Sequence, residues 1–435
     1  MAWRRRVAPA VAAALTCGVA VICPASAAPL LEPTAATSVS CLPSPHAVTP
    51  EQREALFALA RAKLGAAVPG SVSRYPFGAL RAEPDYARAP AQRWSSGFFA
   101  GELWLMYAKD RTPQWLAAAR AYTKGLIKIA NYRDSHDLGF IVGVPAGLGA
   151  ALDPSPAQRA AYVNARITAA RTLALRWNPN VKALKSAEYQ GKWGLIIDSS
   201  MNAPLLIEVG QLIGGPEGER LATYGTEHML TLAHNFIRPD GSTFHRMAFN
   251  PRTGALIGPV SGQGLDAQAS TWARGQAWAI NGFTRAYELT GNPELLAAAT
   301  RLAGFWVAKV PPGCIPAWDF DIANARAPRD SSAAAIAADA MVDLRRAAGP
   351  SLERFGAYAD TSLGLLTTPW LTTAHSVNPG LLLQQTLNVP NDPREGSYVW
   401  GDFYLLRALS ARPADELPAQ TVGSAAIRLM RYGEK

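Results

Sequence analysis

Cysteine is scarce in this chain, with 4 among 435 residues, and two of them, Cys17 and Cys23, lie within the first 27 residues. The other two, Cys41 and Cys314, form no CxxC pair and join no histidine cluster with ligand spacing, so we expect no metal site. The sequence also lacks a phosphate-binding loop, a GxGxxG turn, an HExxH helix and a GxSxG elbow. These absences leave two classes of function: acid–base chemistry by carboxylates, and binding without chemistry.

A block of like charge is also missing. The formal net charge of +9 at pH 7 is spread along the chain, without a Lys/Arg run that would follow a phosphate backbone. We therefore expect no nucleic-acid partner, and only a mild attraction to polyanions such as acidic polysaccharides. Beyond the first 27 residues every apolar run is soon broken by Arg, Asp, Gly or Pro, so we expect no membrane span there.

The amino-terminal residues have the three parts of a secretory signal. Arg4, Arg5 and Arg6 precede an apolar run to about Ile22, and small residues follow up to Ala27. The alternative is a membrane anchor, but the run is short and is interrupted by polar and helix-breaking residues. We predict export to the periplasm or the medium, with cleavage after Ala27.

The chain divides into three predicted segments: a signal peptide at 1–27, an extended leader at 28–49, and a single catalytic domain at 50–435. The leader is rich in Pro, Ser, Thr and Ala and shows no periodicity. After export, Cys41 and Cys314 would be the only cysteines left in an oxidising compartment. We predict that they form a disulfide, although the sequence alone leaves the pairing open.

From Pro50 onward the pattern is helical, because apolar residues recur with helical spacing and strand-like alternation is scarce. The predicted fold class is therefore all-α. Besides the helix that opens at Pro50, the predicted helices cover roughly 97–109, 114–130, 155–176, 200–213, 218–236, 272–289, 293–309, 331–347, 351–365 and 400–410.

A repeated turn indicates how these helices are arranged. The segment YAKDRTPQWLAAAR, from Tyr107, resembles YELTGNPELLAAAT, from Tyr287. In both copies a helix ends at a turn and Pro opens the next helix, where its missing N–H costs nothing. Helical hairpins bury their faces by packing on neighbours, and at roughly 60 residues per unit the chain holds about six of them. We predict an (α/α)6 toroid; the alternative is that this turn arose twice independently.

Two aspartates border apolar runs. Asp137, after His136, precedes Leu-Gly-Phe-Ile-Val, and Asp198 follows Leu-Ile-Ile. A carboxyl held against apolar walls has a raised pKa, as a proton donor at neutral pH requires. Each aspartate also has an ordinary interpretation: Asp137 as a helix cap beside a surface histidine, and Asp198 as an N-cap.

Other polar residues lie among apolar and aromatic neighbours. His245 follows an Asp-Gly turn and has solvent exposure as its alternative interpretation. Arg274 and Trp278, at i and i+4, share a helix face that suits an acidic sugar, since the cation meets a carboxylate and the indole stacks on the ring. The alternative is a core tryptophan with an arginine lying across it. We interpret Asp402 as structural.

Taken in order, these segments resemble the unsaturated glucuronyl hydrolases, family 88 of the glycoside hydrolases. The resemblance rests on WSSGF at 94–98, HDLGF at 136–140, IIDSSMN at 196–202, DGSTFH at 240–245, QG at 263–264, STWARGQAW at 270–278 and WGDFY at 400–404. These segments span most of the chain after the signal. STWARGQAW is the most specific piece, and it favours family 88 over the related family 105, which acts on unsaturated rhamnogalacturonan fragments.

The resemblance implies an (α/α)6 barrel, no metal or organic cofactor, and a small acidic oligosaccharide as substrate. It implies hydration of the double bond between carbon 4 and carbon 5 that a polysaccharide lyase leaves in the terminal uronic acid. Asp198 takes the acid/base position, and Asp137 takes that of the second essential carboxyl, which keeps Asp198 protonated by like-charge repulsion. The implied contacts to the sugar are His245, Gln263, Arg274 and Trp278, with His136 and Trp94 as pocket walls.

The chain departs from the family pattern in two places. Lys185-Ser186-Ala187 stands where the family often carries a tryptophan, so an aromatic platform is missing and Trp193 is the candidate substitute. Gln384, Leu387 and Val389 occupy the stretch where sulfate-tolerant members place Ser and Lys. We therefore predict a preference for unsulfated substrates, because Leu and Val offer a sulfate no hydrogen bond.

Three other functions compete with this interpretation. One is a family 105-like unsaturated rhamnogalacturonyl hydrolase. The second is an inverting glycosidase on the same toroid, with Asp137 and Asp198 about 6.5–9.5 Å apart around a water. The third is a protein that binds uronides without turnover, and the presence of both aspartate motifs argues against it.

Overall fold

Helices make up most of this protein in its computed structural model, which describes residues 41–68 and 72–410. The predicted signal peptide and most of the predicted leader lie outside the described residues. Within that part of the chain the α-helices are α1 (Pro50–Ala67), α2 (Ser96–Asp110), α3 (Pro113–Ile127), α4 (Val144–Leu152), α5 (Pro156–Ala174), α6 (Pro204–Ile213), α7 (Gly215–Phe236), α8 (Ala273–Thr290), α9 (Pro293–Lys309), α10 (Ser331–Ala348), α11 (Glu353–Leu366) and α12 (Val399–Ser410).

The helices alternate between two kinds of burial. α2 buries every residue from Ser96 to Tyr107, whereas α1 buries only Leu56, Phe57, Ala60 and Leu64, which share one face. The even-numbered helices are the buried ones, and they contact one another: α2 packs on α4 and α12, and α10 packs on α8 and α12. The odd-numbered helices cover them with an amphipathic face, so the core lies among the even-numbered set.

The predicted repeat is a real structural repeat. α2 ends at Arg111 with φ 53°, and α8 ends at Gly291 with φ 66°, so both helices close with a left-handed residue. Pro113 and Pro293 then open α3 and α9 at the first helical position, as the sequence indicated. The two copies of the turn therefore join a buried helix to an amphipathic one in the same way.

The starts of the buried helices are brought together by side-chain contacts. Trp94, before α2, lies 4.8 Å from Trp400 of α12, measured between ring centroids. Arg274, in the first turn of α8, forms an ion pair with Asp330, the residue that caps α10. Asn202, before α6, donates a hydrogen bond to Asp137, before α4. The amino-terminal ends of these helices thus meet at one place, which is where polar residues gather.

The all-α expectation needs a correction, because short antiparallel strands form in the connections. They make three sheets, with orders β2-β1-β10-β9, β3-β4 and β5-β6-β7-β8. The strands are β1 (Tyr75–Leu80), β2 (Ala87–Ala89), β3 (Trp177–Asn178), β4 (Ala183–Leu184), β5 (Ala187–Tyr189), β6 (Lys192–Ile196), β7 (Arg246–Phe249), β8 (Leu256–Pro259), β9 (Gln385–Asn388) and β10 (Asp392–Tyr398). Such strands are too short to show a recognisable alternation of apolar and polar residues in the sequence.

One buried helix had no counterpart in the sequence prediction. A π-helical turn at Gly139–Gly143 runs directly into α4, and nearly every residue of both segments is buried. Because the segment GFIVGVPAGLGAAL is apolar on all sides and contains Gly and Pro, it shows no amphipathic period. Its burial places Asp137, which precedes it, at the edge of the core.

The predicted disulfide is confirmed, since Cys41 and Cys314 are bonded. The backbone also pairs there, because the Leu42 N–H donates to the Gly313 carbonyl at 2.8 Å. The end of the leader is thereby fixed to the loop after α9. None of the helices in the described residues is long and apolar enough to cross a membrane.

Candidate active site

Asp198 lies where β6 gives way to a 3₁₀ helix, Ile197–Met201. Its side chain is 17% exposed, and its Oδ2 has no hydrogen-bond partner among the described residues. The pKa of Asp198 is raised to about 7, chiefly by burial and secondly by the charge of Asp137, while Arg274 and Arg246 oppose the rise. Asp198 is therefore a carboxyl that is half protonated near neutral pH, is partly exposed on its side chain, and has a buried Oδ2 without a hydrogen-bond partner among the described residues.

His245 is held beside Asp198 by the pairing of β6 with β7. The Ile197 N–H donates to the His245 carbonyl at 3.0 Å, and the His245 Nε2 lies 3.7 Å from Asp198 Oδ2. The Nδ1 of His245 accepts a hydrogen bond from the Gln263 N–H at 2.6 Å, so the proton of the neutral ring is on Nε2. Burial lowers the pKa of His245 well below its usual range, with Arg246 and Arg274 adding to the effect. A neutral N–H donor therefore points towards Asp198.

The approach of Gln263 to this histidine depends on a glycine. A Cβ at Gly262 would lie 2.0 Å from His245 Nδ1, closer than atoms can approach. Any side chain at that position would push the ring or the loop away. The tautomer of His245 is thus set by a glycine that allows the backbone to come close.

Asp137 is fixed by three neighbours. Its carboxyl accepts hydrogen bonds from Ser135 Oγ and from Asn202 Nδ2, both at 3.2 Å, and His136 Nδ1 lies 3.6 Å from Asp137 Oδ1. Burial lowers the pKa of His136, and the charge of Asp137 opposes this. Asp137 is 15% exposed on its side chain, so the second carboxyl is about as exposed as Asp198.

Asn202 connects the two aspartate segments, and sequence reasoning assigned it no role. Its Nδ2 donates to Asp137 and, at 3.4 Å, to the Asp198 carbonyl, while its Oδ1 accepts from the Phe140 N–H at 3.1 Å. The signal was present in the sequence, since an amide stands four residues after Asp198 between apolar runs. Asn202 therefore sets the relative position of the two carboxyls.

Arg274 differs from its predicted role as a direct sugar contact. Its side chain is about 2% exposed, and four hydrogen bonds to the protein occupy both terminal nitrogens. The acceptors are Asp330 Oδ2, Thr386 O and Leu387 O, each at 2.6 Å, and Gln263 Oε1 at 3.2 Å. Because both terminal nitrogens donate to the protein and the Nε is buried, Arg274 orients Gln263 and the β9 segment and provides positive charge near Asp198. Asp330 was missed by sequence reasoning.

Trp278 also differs from its predicted role as a stacking platform. It is fully buried, and its ring lies among Phe98, Phe140 and Tyr404 at centroid distances of 5.2–6.5 Å. The guanidinium of Arg274 lies over Trp272 and Trp400 instead, at 4.7 and 5.4 Å. Arg274 and Trp278 share the inner face of α8, as their spacing predicted, but this face packs in the core. Trp278 supports the floor of the site.

Trp94 and Gln263 remain partly exposed at the same site. Trp94 packs its ring against Phe140 and Trp400 and forms a wall. Gln263 gives its Oε1 to Arg274, so its Nε2 is directed elsewhere. Among residues 41–68 and 72–410, no group of three or more His, Cys, Asp or Glu side chains is arranged to hold a metal ion. The arrangement supports proton transfer by a carboxyl of raised pKa beside a second carboxyl.

Known proteins are similar to this chain in sequence and in fold. An unsaturated glucuronyl hydrolase of Formosa agariphila is 34% identical over 333 residues, which are 75% of this chain and 81% of the relative. One of Bacillus sp. strain GL1 is 30% identical over 329 residues, 73% of this chain and 85% of the relative. A solved unsaturated glucuronyl hydrolase specific for heparin matches with a TM-score of 0.75 at 27% identity, over 83% of this chain and 97% of that one.

No protein-family profile matches the chain. The two relatives nevertheless cover about three quarters of it, and the aligned part spans more than four fifths of each relative. Likeness of this extent, together with the shared fold, shows that this protein belongs to the unsaturated glucuronyl hydrolase family.

Proposed function

We propose that this hydrolase removes the terminal 4,5-unsaturated uronic acid from small acidic oligosaccharides made by lyases, with Asp198 as its acid/base. One observation carries the assignment: a partly exposed carboxyl with a pKa of about 7 has a buried oxygen to which no described residue hydrogen-bonds, and it lies close enough to the second carboxyl, Asp137, for their charges to interact. Hydration of a vinyl ether needs a proton donor at one carbon and a proton acceptor for water at the next. A single carboxyl of this pKa supplies both at neutral pH.

The reaction begins with the proton on Asp198. It moves to carbon 4 as the double-bond electrons form the new C–H bond, and the ring oxygen shares the positive charge that develops at carbon 5. Water adds its oxygen to carbon 5 and gives a proton to the Asp198 carboxylate, which restores the acid. The product is a hemiketal, whose bond from carbon 5 to the ring oxygen breaks to form a ketone. The hemiacetal that remains at carbon 1 then releases the next sugar.

The neighbours of Asp198 support each stage. Asp137 opposes ionisation of Asp198 before the proton transfer and accepts hydrogen bonds from sugar hydroxyls. His245, neutral and with its proton on Nε2, stabilises the Asp198 carboxylate that forms when the proton has left. Gln263 directs its Nε2 to the sugar, and Trp94 forms the wall. His136 supports Asp137 from the other side.

We propose that the described helices form an (α/α)6 toroid. The support is the alternation of buried and amphipathic helices, the contacts of α2 with α12 and of α8 with α10, and the meeting of the buried helices' amino-terminal ends. We also propose that the protein is exported, with its signal removed after Ala27 and without a membrane anchor thereafter. The bonded pair Cys41–Cys314 supports this, because such bonds persist in oxidising compartments.

The experiment that tests the function is incubation with a panel of lyase-generated disaccharides, followed by the ultraviolet absorbance of the conjugated acid. Loss of that absorbance with glycosaminoglycan-derived disaccharides is the expected result. Turnover of saturated oligosaccharides only would favour an inverting glycosidase, and preference for unsaturated rhamnogalacturonan fragments would favour the family 105 type of activity. Binding without turnover of any substrate would show a uronide-binding protein.

A further inference from the structure

A cavity of about 500 Å³ is lined in part by Arg176, which interacts with the charge of Asp137, and it takes no part in the steps above. We call it the basic cavity. Its lining includes Arg133, Arg176, Lys185, Trp177, Trp193 and Asn178, and none of the described residues that line it is acidic. Three cations and two indole rings around one open space form a chemical environment that differs from that of the two carboxyls, Asp137 and Asp198.

The basic cavity borders the catalytic carboxyls through two connections. Trp193 lies on β6, the strand that leads into Asp198. Arg176 is close enough to Asp137 for the two charges to interact. When the terminal uronic acid of a substrate lies at Asp198, the leaving part of the oligosaccharide can therefore reach the basic cavity.

The three cationic side chains are held by the protein to different extents. Arg176 donates to the carbonyls of Arg133, Lys185 and Ser186 at 2.9–3.0 Å, so it builds the wall. Arg133 is exposed, and no described residue hydrogen-bonds to its guanidinium. Lys185 pairs with Glu188, three residues away, at 2.8 Å, and this partner is 65% exposed. Arg133 and Lys185 can therefore turn to a ligand at little cost, because an exposed ion pair contributes little.

We propose that the basic cavity is a subsite for an anionic group, a carboxylate or a sulfate, on the leaving part of the oligosaccharide. The proposal rests on the proposed function, since it assumes an unsaturated uronide at Asp198. Arg133 and Lys185 bind the anion by charge-assisted hydrogen bonds, and the partly exposed rings of Trp177 and Trp193 cover the sugar to which it is attached. The subsite acts on binding rather than on the chemical step, because it contacts no reacting atom.

The test compares the double variant Arg133→Gln/Lys185→Gln with wild type on three unsaturated substrates. These are a disaccharide with an uncharged leaving sugar, an unsulfated tetrasaccharide that adds a uronate carboxylate, and a disaccharide 4-sulfated on the leaving sugar. We expect KM to rise about 5- to 20-fold for at least one anionic substrate, with kcat unchanged and KM for the uncharged one within about twofold. The difference should shrink in high salt. The substrate whose KM rises identifies the anion as carboxylate or sulfate.

Lys192→Gln is the matched control, since Lys192 is an exposed cation on the same hairpin but does not line the basic cavity. An unchanged KM for both anionic substrates in the double variant would overturn the subsite, as would an equal rise for the uncharged one. Turnover of the uncharged disaccharide by wild type reports on the proposed function separately. Its absence would refute that function, whatever the variants do.

Discussion

Two buried aspartates of this protein, Asp198 and Asp402, share a pKa that burial raises to about 7, yet their surroundings differ. The Asp402 carboxyl is saturated with hydrogen bonds; its donors are the Leu381 N–H at 2.8 Å, the Leu382 N–H at 3.0 Å and Gln385 Nε2 at 2.9 Å. Asp198 has a buried Oδ2 without a partner among the described residues, and its side chain is 17% exposed. A raised pKa therefore marks both carboxyls, but the incomplete hydrogen bonding and partial exposure of Asp198 distinguish a reactive centre from a structural one.

The largest expected effect comes from Asp198→Asn, which keeps the shape of the side chain and removes its proton. We expect kcat/KM on an unsaturated disaccharide to fall at least about 100-fold, because the donor to carbon 4 is lost. Circular dichroism should show an unchanged fold. Activity within a few-fold of wild type would remove Asp198 from the chemistry and make it resemble Asp402.

Asp402→Asn should have the opposite profile. Both carboxyl oxygens of Asp402 accept hydrogen bonds. In either orientation of the Asn side chain, its N–H₂ group would therefore face a hydrogen-bond donor instead of an acceptor. We expect the free energy of unfolding at pH 8 to fall by about 1–3 kcal/mol, because this clash between donors outweighs the gain from removing a buried carboxyl whose pKa is about 7. Urea titration measures this, and kcat/KM of the folded variant should stay within about fivefold of wild type. A 100-fold loss of activity without loss of stability would contradict the structural assignment.

Asp198→Asn should stabilise the protein, whereas Asp402→Asn should destabilise it. The pKa of Asp198 is about 7 when folded and about 3.9 when unfolded, so wild type loses stability as pH rises between these values. The amide has no such loss. At pH 8 we expect the free energy of unfolding of the variant to exceed that of wild type by about 1–2 kcal/mol. Near pH 4 this difference should disappear. An equal difference at both pH values would show a packing effect instead.

The segment held by Asp402 bears on selectivity, because it continues into Leu387 and Val389. Their side chains offer no hydrogen bond, and the Leu387 carbonyl is already bound to Arg274. We expect kcat/KM for an unsulfated chondroitin-type disaccharide to exceed that for its 6-sulfated counterpart by about tenfold, because a charge-assisted bond is missing. Measured side by side, equal values would show that this segment does not face the leaving sugar.

The smallest effect is a change of rate with pH. The acid form of Asp198 is required and its pKa is about 7, so kcat/KM should fall as pH rises through 7, by about fivefold between pH 7 and pH 8. Because Asp402 has a similar pKa, the same profile should be measured on Asp402→Asn. If the fall above pH 7 disappeared in that variant, the titrating group would be Asp402 and not Asp198.

The sequence was informative where the residue type itself limits the chemistry. Asp137 and Asp198 bordered apolar runs, and the structure places both at the edge of the core, with side chains that are 15% and 17% exposed. The turns before Pro113 and Pro293 could be predicted from the sequence, because proline is favoured at the first position of a helix and is unfavourable in its interior. The disulfide followed from counting, since two cysteines remained.

Other features depended on information that a sequence window does not hold. The i, i+4 spacing put Arg274 and Trp278 on one face, but only the tertiary structure shows that this face meets Phe140 and Tyr404 rather than a ligand. α4 was missed because an all-round apolar helix lacks a period. The roles of Asn202 and Asp330 come from partners more than 50 residues away along the chain.

The bond between Cys41 and Cys314, 273 residues apart, makes most of this chain a covalent ring. Asp137, Asp198, His245 and Arg274 all lie inside that ring, whereas Asp330 and the β9 segment that hold Arg274 lie on the tail that leaves it. A protease that cuts one exposed loop inside the ring opens it into a longer chain but releases no fragment. The catalytic residues therefore stay joined after a single cut, and a second break, of the disulfide or the backbone, is needed to separate them.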